Sequence, residues 1–180
     1  MLSALTVLIT LVYPLAIWLG HDRLEPRYLA CVLLLAAATR LPALPVSAMA
    51  RWAVAGALLL VACAIGSNQL LPLKLYPVLV NGALLAGFAY SLLVPPSMVE
   101  RLARLREPGL PAAAIPYTRR VTKVWCGFFA VNGCIALGTA LWASDAIWSL
   151  YTGVIAYALM GLLFGAEMLY RRRFKRLNHV

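Results

Sequence analysis

The sequence predicts an all-α, polytopic membrane bundle, and three observations predict it. The chain is 63% hydrophobic and only 12% charged, about half the ~25% charged share of a soluble domain. Its mean hydropathy is +0.86, and the apolar residues gather in long runs separated by short polar or proline-bearing stretches. Backbone groups in hydrocarbon must be satisfied within their own segment, so runs of this kind read as helices. No hydrophilic block is long enough for a second domain, so residues 1–180 form a single integral membrane domain.

Six helices are expected. The first, 3–20, has about the length needed to cross a ~30 Å core; it has no basic n-region or cleavage site and reads as a retained helix, with Pro14 as a kink. The second, 28–39, is short, and crosses only if Arg27 and Arg40 snorkel from its ends; re-entry is the alternative. The third is 52–66. The fourth, 75–94, begins just after Lys74. The fifth and sixth, 121–142 and 147–170, are joined by a hairpin, Ala143-Ser144-Asp145, that carries no basic residue.

Between the fourth and fifth helices lies a basic, proline-punctuated connector, 95–120. Pro95-Pro96 ends one helix, and Ser97 with Glu100 is a capping-box pattern opening another over 97–107. Met98, Val99, Leu102 and Leu105 share a face of it, whereas Glu100, Arg101, Arg104 and Glu107 do not. A short amphipathic helix of this composition is expected in the headgroup plane. Pro108-Gly109 closes it, and Pro111 and Pro116 predict an irregular stretch before Arg119, Arg120 and Lys123.

Charge fixes an expected orientation. Eleven of the sixteen Lys and Arg residues lie in 94–123 and the tail 171–180. The positive-inside rule puts both on the cytoplasmic side of the membrane. Six helices leave thirteen basic residues inside and three outside; a re-entrant second run leaves fifteen and one. Charge mildly favours five helices, and the helix formers in 28–39 favour six. The net charge of +10 sits at helix ends, which points to anionic lipid rather than nucleic acid.

Sites of chemistry are scarce. Cys31, Cys63, Cys126 and Cys134 lie singly inside apolar runs and read as small buried hydrophobes. His21 and His179 lack partners at metal-ligand spacing, and no phosphate loop or hydrolase motif occurs, so neither cofactor nor metal is expected. Asn81 and Asn132 are the intramembrane polar residues that need partners. Their distances from Lys74 and Lys123 put them at similar depth, so a mutual hydrogen bond is expected; lining a polar cavity is the alternative. Thr118, Thr122, Trp125, Phe129 and Asn132 share one face, read as packing. Glu167 precedes Arg171 by four residues, the favourable order for an ion pair. The alternative joins Glu167 to Arg119, Arg120 and Lys123 as a headgroup or acyl-phosphate site. Arg101, Arg104 and Arg106 are further candidates for lipid or partner binding. Gly161-x-x-x-Gly165 suggests a close helix contact, within the bundle or in a homo-oligomer.

Three segments carry a resemblance: Lys74 to Asn81 (KLYPVLVN), Val94 to Leu102 (VPPSMVERL) and Arg120 to Asn132 (RVTKVWCGFFAVN). A Lys opening a span, a linker with Pro and Arg-Leu, and Trp-x-x-Phe-Phe entering the next span resemble the intracellular septation protein A family of bacterial inner-membrane proteins. The resemblance covers roughly residues 70–173. Pro77 and the longer connector depart from it and look like a diverged subgroup, one associated with gene clusters for acyl-derived lipids or polyene pigments. It implies a non-enzymatic role in envelope maintenance or septation, organising membrane lipids or other inner-membrane proteins. The alternatives are an accessory component of an acyl-lipid or polyene pathway, which would bind an acyl chain between helices, and a small transporter.

Overall fold

The computed structural model describes residues 48–67 and 69–177, with side chains over 55–67 and 69–173. The expected helices 3–20 and 28–39, with Cys31, His21 and His179, lie outside the described residues. Within them every regular element is helical: α1 (Ala48–Ser67), α2 (Leu71–Lys74), α3 (Tyr76–Leu93), α4 (Met98–Arg106), α5 (Ala114–Trp142), α6 (Asp145–Leu150), a wide turn (Tyr151–Ile155) with π-type bonding, and α7 (Ala156–Leu177). Three helical stretches are long and apolar enough to cross a membrane, Leu71–Leu93, Ala114–Trp142 and Asp145–Arg173; Ala55–Ser67 is a shorter apolar helix.

The segmentation follows from prolines and caps. Pro77 has no N–H to bond the Leu73 carbonyl, so the helix breaks at Leu75 between α2 and α3. The Leu75 N–H still reaches the Leu71 carbonyl at 3.1 Å, and Leu79 N–H the Leu75 carbonyl at 3.0 Å. The stretch therefore continues along one direction. Ser144 caps α6, its hydroxyl accepting from the Ile147 N–H at 3.4 Å.

At α5 the expected irregular segment is corrected. The helix begins at Ala114 and runs through Pro116, because a proline in the first turn removes only an N–H that has no helical partner. Its 29 residues span about 43 Å, longer than a ~30 Å hydrocarbon core. Arg119, Arg120 and Lys123 lie in its first three turns.

Small residues share the interior with a few large side chains, and many large apolar residues face outward. Ala57, Val61 and Ala64 of α1 meet Leu73, Tyr76, Ala140 and Trp148 in one cluster, and Ala136, Tyr151 and Ala156 form a second. Leu59, Val131, Leu162 and Leu169 are among the exposed large side chains. Helices in lipid gain nothing by hiding leucine from hydrocarbon, so they associate through small residues that allow close approach. Gly133 shows this directly: a Cβ built there would stand 3.2 Å from the Asn81 Cβ.

One expectation fails on burial, and another finds no partner among the described residues. Cys63 and Cys134 are exposed and Cys126 is half-buried, because they lie on the outward faces of their helices. Gly161 and Gly165 have no atom within 4 Å of a built Cβ. They make no close helix contact within the described residues, since α7 touches α3 and α5 only sparsely.

Candidate functional sites at the centre and the basic end

At mid-bundle, three helices are tied by one chain of hydrogen bonds. Tyr151 donates its hydroxyl to Asn132 Oδ1 at 2.8 Å, Asn132 Nδ2 donates to Asn81 Oδ1 at 3.0 Å, and Asn81 Nδ2 donates to the Pro77 carbonyl at 2.8 Å. The last bond uses a carbonyl at the start of α3, where a proline opens the helix. Both asparagines and Tyr151 are buried. The sequence reading did not include Tyr151, which stands in an apolar run like any packing aromatic. Beside this chain lies a partly open crevice of about 190 Å³. Val80, Leu84, Ala136, Ala156 and Met160 supply apolar walls, and among the described residues no charged side chain lines it.

Above the crevice, one end of the bundle is closed by a long-range ion pair. Lys74 Nζ lies 2.9 Å from Asp145 Oδ1, with Lys74 buried, and Trp148 Nε1 donates to the Lys74 carbonyl at 3.2 Å. Lys74 thus joins α2 to α6 rather than only marking a span end. Sequence offers one signal for the pair: each residue abuts the same-side end of a span.

The opposite end is built differently. α4 is held by borrowed caps: the Met98 N–H donates to Ser91 Oγ at 2.8 Å and the Val99 N–H to Thr122 Oγ1 at 3.2 Å. The expected Ser97–Glu100 capping box is not formed. Ser97 Oγ is buried without a hydrogen-bond partner, and Glu100 is taken by Arg104 at 2.8 Å. Arg101 folds back onto the Pro96 and Val94 carbonyls at 2.8 and 3.2 Å, bracing the preceding loop.

This helix faces the bundle with its polar side. Glu100 is buried, and Ala103 and Arg104 are half-buried, whereas Leu102 is 54% and Leu105 80% exposed. Met98 and Val99, expected with the leucines, are half-buried, because the borrowed caps draw the helix start towards α5. Arg101 and Arg106 flank the outward leucines and are exposed.

Glu167 has Arg171 as its ion-pair partner, through two bonds of 2.8 Å, and also accepts from the Tyr117 hydroxyl at 2.9 Å. Tyr117 stacks on Tyr170 with centroids 5.9 Å apart, so this group fastens α7 to the start of α5. The headgroup cluster of Glu167 with Arg119, Arg120 and Lys123 does not assemble. Those three cations are exposed on α5 and make no ion pair among the described residues. The Thr118–Asn132 face is the packing face: Thr118, Thr122, Phe129 and Asn132 are buried, and Phe129 meets Phe88 edge-on at 5.2 Å.

Among the described residues no group of three or more His, Cys, Asp or Glu could hold a metal ion. No protein-family model, curated protein or solved structure matches the chain.

Proposed function

We propose that this chain is a non-enzymatic, multi-pass protein of the bacterial cytoplasmic membrane that gathers anionic lipid at its basic end and so organises other membrane proteins there. The observation that carries this reading is the orientation of α4. A helix that packs through Glu100 and Arg104 and turns Leu102 and Leu105 outward between arginines suits acyl chains below a layer of anionic headgroups. Arg119, Arg120 and Lys123 in the first three turns of α5 extend the same basic surface. Two of the three acids at this end, Glu100 and Glu167, are already paired within their own helices, so the exposed cations are left for lipid. The positive-inside rule supports a cytoplasmic connector and tail. The resemblance to the septation family supports envelope maintenance or septation as the setting, and the outward Gly161 and Gly165 suit contact with a second copy.

The test uses the full chain with native cysteines replaced and Leu105→Cys carrying an environment-sensitive fluorophore. In nanodiscs containing phosphatidylglycerol the probe is expected in the acyl region. Replacing Arg101, Arg106, Arg119 and Arg120 with Gln weakens that contact by about 1 kcal/mol per charge. Equal aqueous exposure in anionic and zwitterionic discs overturns the reading.

A further inference from the structure

We infer that the crevice beside Asn81 and Asn132 is a binding site for an uncharged, carbonyl-bearing apolar molecule, held by the carbonyl oxygen against the two amides. This site is independent of the lipid surface at the basic end. The argument begins with hydrogen-bond capacity. A primary amide has two N–H donors. Asn132 Nδ2 uses one on Asn81, and Asn81 Nδ2 uses one on the Pro77 carbonyl. One N–H on each amide is left over. The amide oxygens each accept one bond, from Asn132 and Tyr151. Thr152, also on the crevice wall, spends its proton on the Trp148 carbonyl at 2.7 Å. The unused amide N–H groups are donors, which suit an acceptor on the ligand.

Charge and size narrow the class further. Among the described residues no Lys, Arg, Asp or Glu lines the crevice, and an ion placed there would lose its hydration without a counter-charge from them. A cavity of about 190 Å³ is somewhat larger than the ~150 Å³ apolar cavity that admits benzene. It takes a ring or a short length of chain, with the remainder leaving between helices. The apolar walls and the position within three helices long enough to cross a membrane mean that the molecule arrives from the bilayer. An ester carbonyl of a bilayer lipid and a free long-chain ketone or ester share this chemistry.

The experiment uses the full chain in nanodiscs of ether-linked phospholipid, which contain no carbonyl groups. The probe is a long-chain alkyl ketone with a diazirine next to the carbonyl; its control is the matching alkane. The ketone is expected to label Val80, Leu84 or Met160 about fivefold more than the alkane, the worth of one neutral hydrogen bond. Asn132→Leu removes that preference, and Ala136→Phe, which fills the crevice and leaves both amides in place, removes labelling by both probes. Each variant is accepted only with wild-type helicity and elution volume. Competition by diester phospholipid assigns the site to a bilayer lipid; labelling that survives it assigns the site to a free carbonyl compound. Equal labelling by ketone and alkane, or a ketone preference unchanged in Asn132→Leu, overturns the proposal.

Discussion

The two ends of the bundle use the same kinds of ion pair for opposite purposes. At the end formed by α2 and α6, Lys74 and Asp145 are 71 residues apart in sequence and 2.9 Å apart in space. Their pair joins separate helices, and the Lys74 carbonyl is used as well, by Trp148. At the basic end, Glu100–Arg104 and Glu167–Arg171 are pairs of i,i+4 neighbours on single helices. Lying within single helices, these pairs do not themselves join one helix to another, but they occupy acids that would otherwise neutralise the neighbouring arginines. Sequence separation, more than geometry, decides whether an ion pair holds a fold or tunes a surface.

The sharpest way to break that contrast is Asp145→Ala, which leaves a buried lysine unpaired. A loss of up to about 3 kcal/mol is expected, the low end for a broken buried pair because Asp145 is partly exposed. Reversible unfolding in mixed micelles reads it, and Lys74→Met combined with Asp145→Leu should recover most of the stability. An unrecovered double variant would show that the pair matters for more than its own charges.

Asn81→Leu and Asn132→Leu come next, at about 1–2 kcal/mol each. The double variant should lose less than the sum, because one hydrogen bond is counted in both; strict additivity in the same unfolding assay would mean that the bond contributes nothing. Glu167→Gln should lose about 1 kcal/mol. Tyr117→Phe should cost a further ~1 kcal/mol in that background, measured by thermal denaturation of the double variant, because the Gln carbonyl oxygen still accepts from the Tyr117 hydroxyl. The smallest expected change is in Arg119→Gln with Arg120→Gln and Lys123→Gln: stability within ~0.5 kcal/mol of wild type, with anionic lipid lost from the purified protein by mass spectrometry. A marked loss of stability there would turn these exposed cations into structural groups and erase the contrast between the ends.

What could be read from sequence was whatever depends on neighbours along the chain. The runs 75–94, 121–142 and 147–170 lie, to within a residue at their ends, inside helical stretches that begin earlier, at Leu71, Ala114 and Asp145, because polar and proline-containing first turns lower hydropathy without stopping a helix. Asn81 and Asn132 could be matched by depth alone, since rise per residue is fixed, and they are hydrogen-bonded. Tyr151 could not be added to them, because an aromatic in an apolar run gives no sign of a donor's target. The Ser97–Glu100 pattern misled for a related reason. Ser91 and Thr122 reach the α4 N-terminus first, and a local motif cannot register hydroxyls delivered by other helices. The outward cysteines show a third limit: hydropathy marks a residue as apolar but does not say which side of its helix meets protein.

The Lys74–Asp145 pair also has a consequence in time. A ribosome making about 5–20 residues per second releases Asp145 roughly 4 to 14 seconds after Lys74. For that interval Lys74 lacks the acid that it pairs with in the finished fold, and Trp148, which completes the joint, follows three residues later still. The joint therefore cannot close before the hairpin between α5 and α6 has been made. That hairpin is what carries Asp145 and Trp148 to Lys74, and the nascent chain must wait for it.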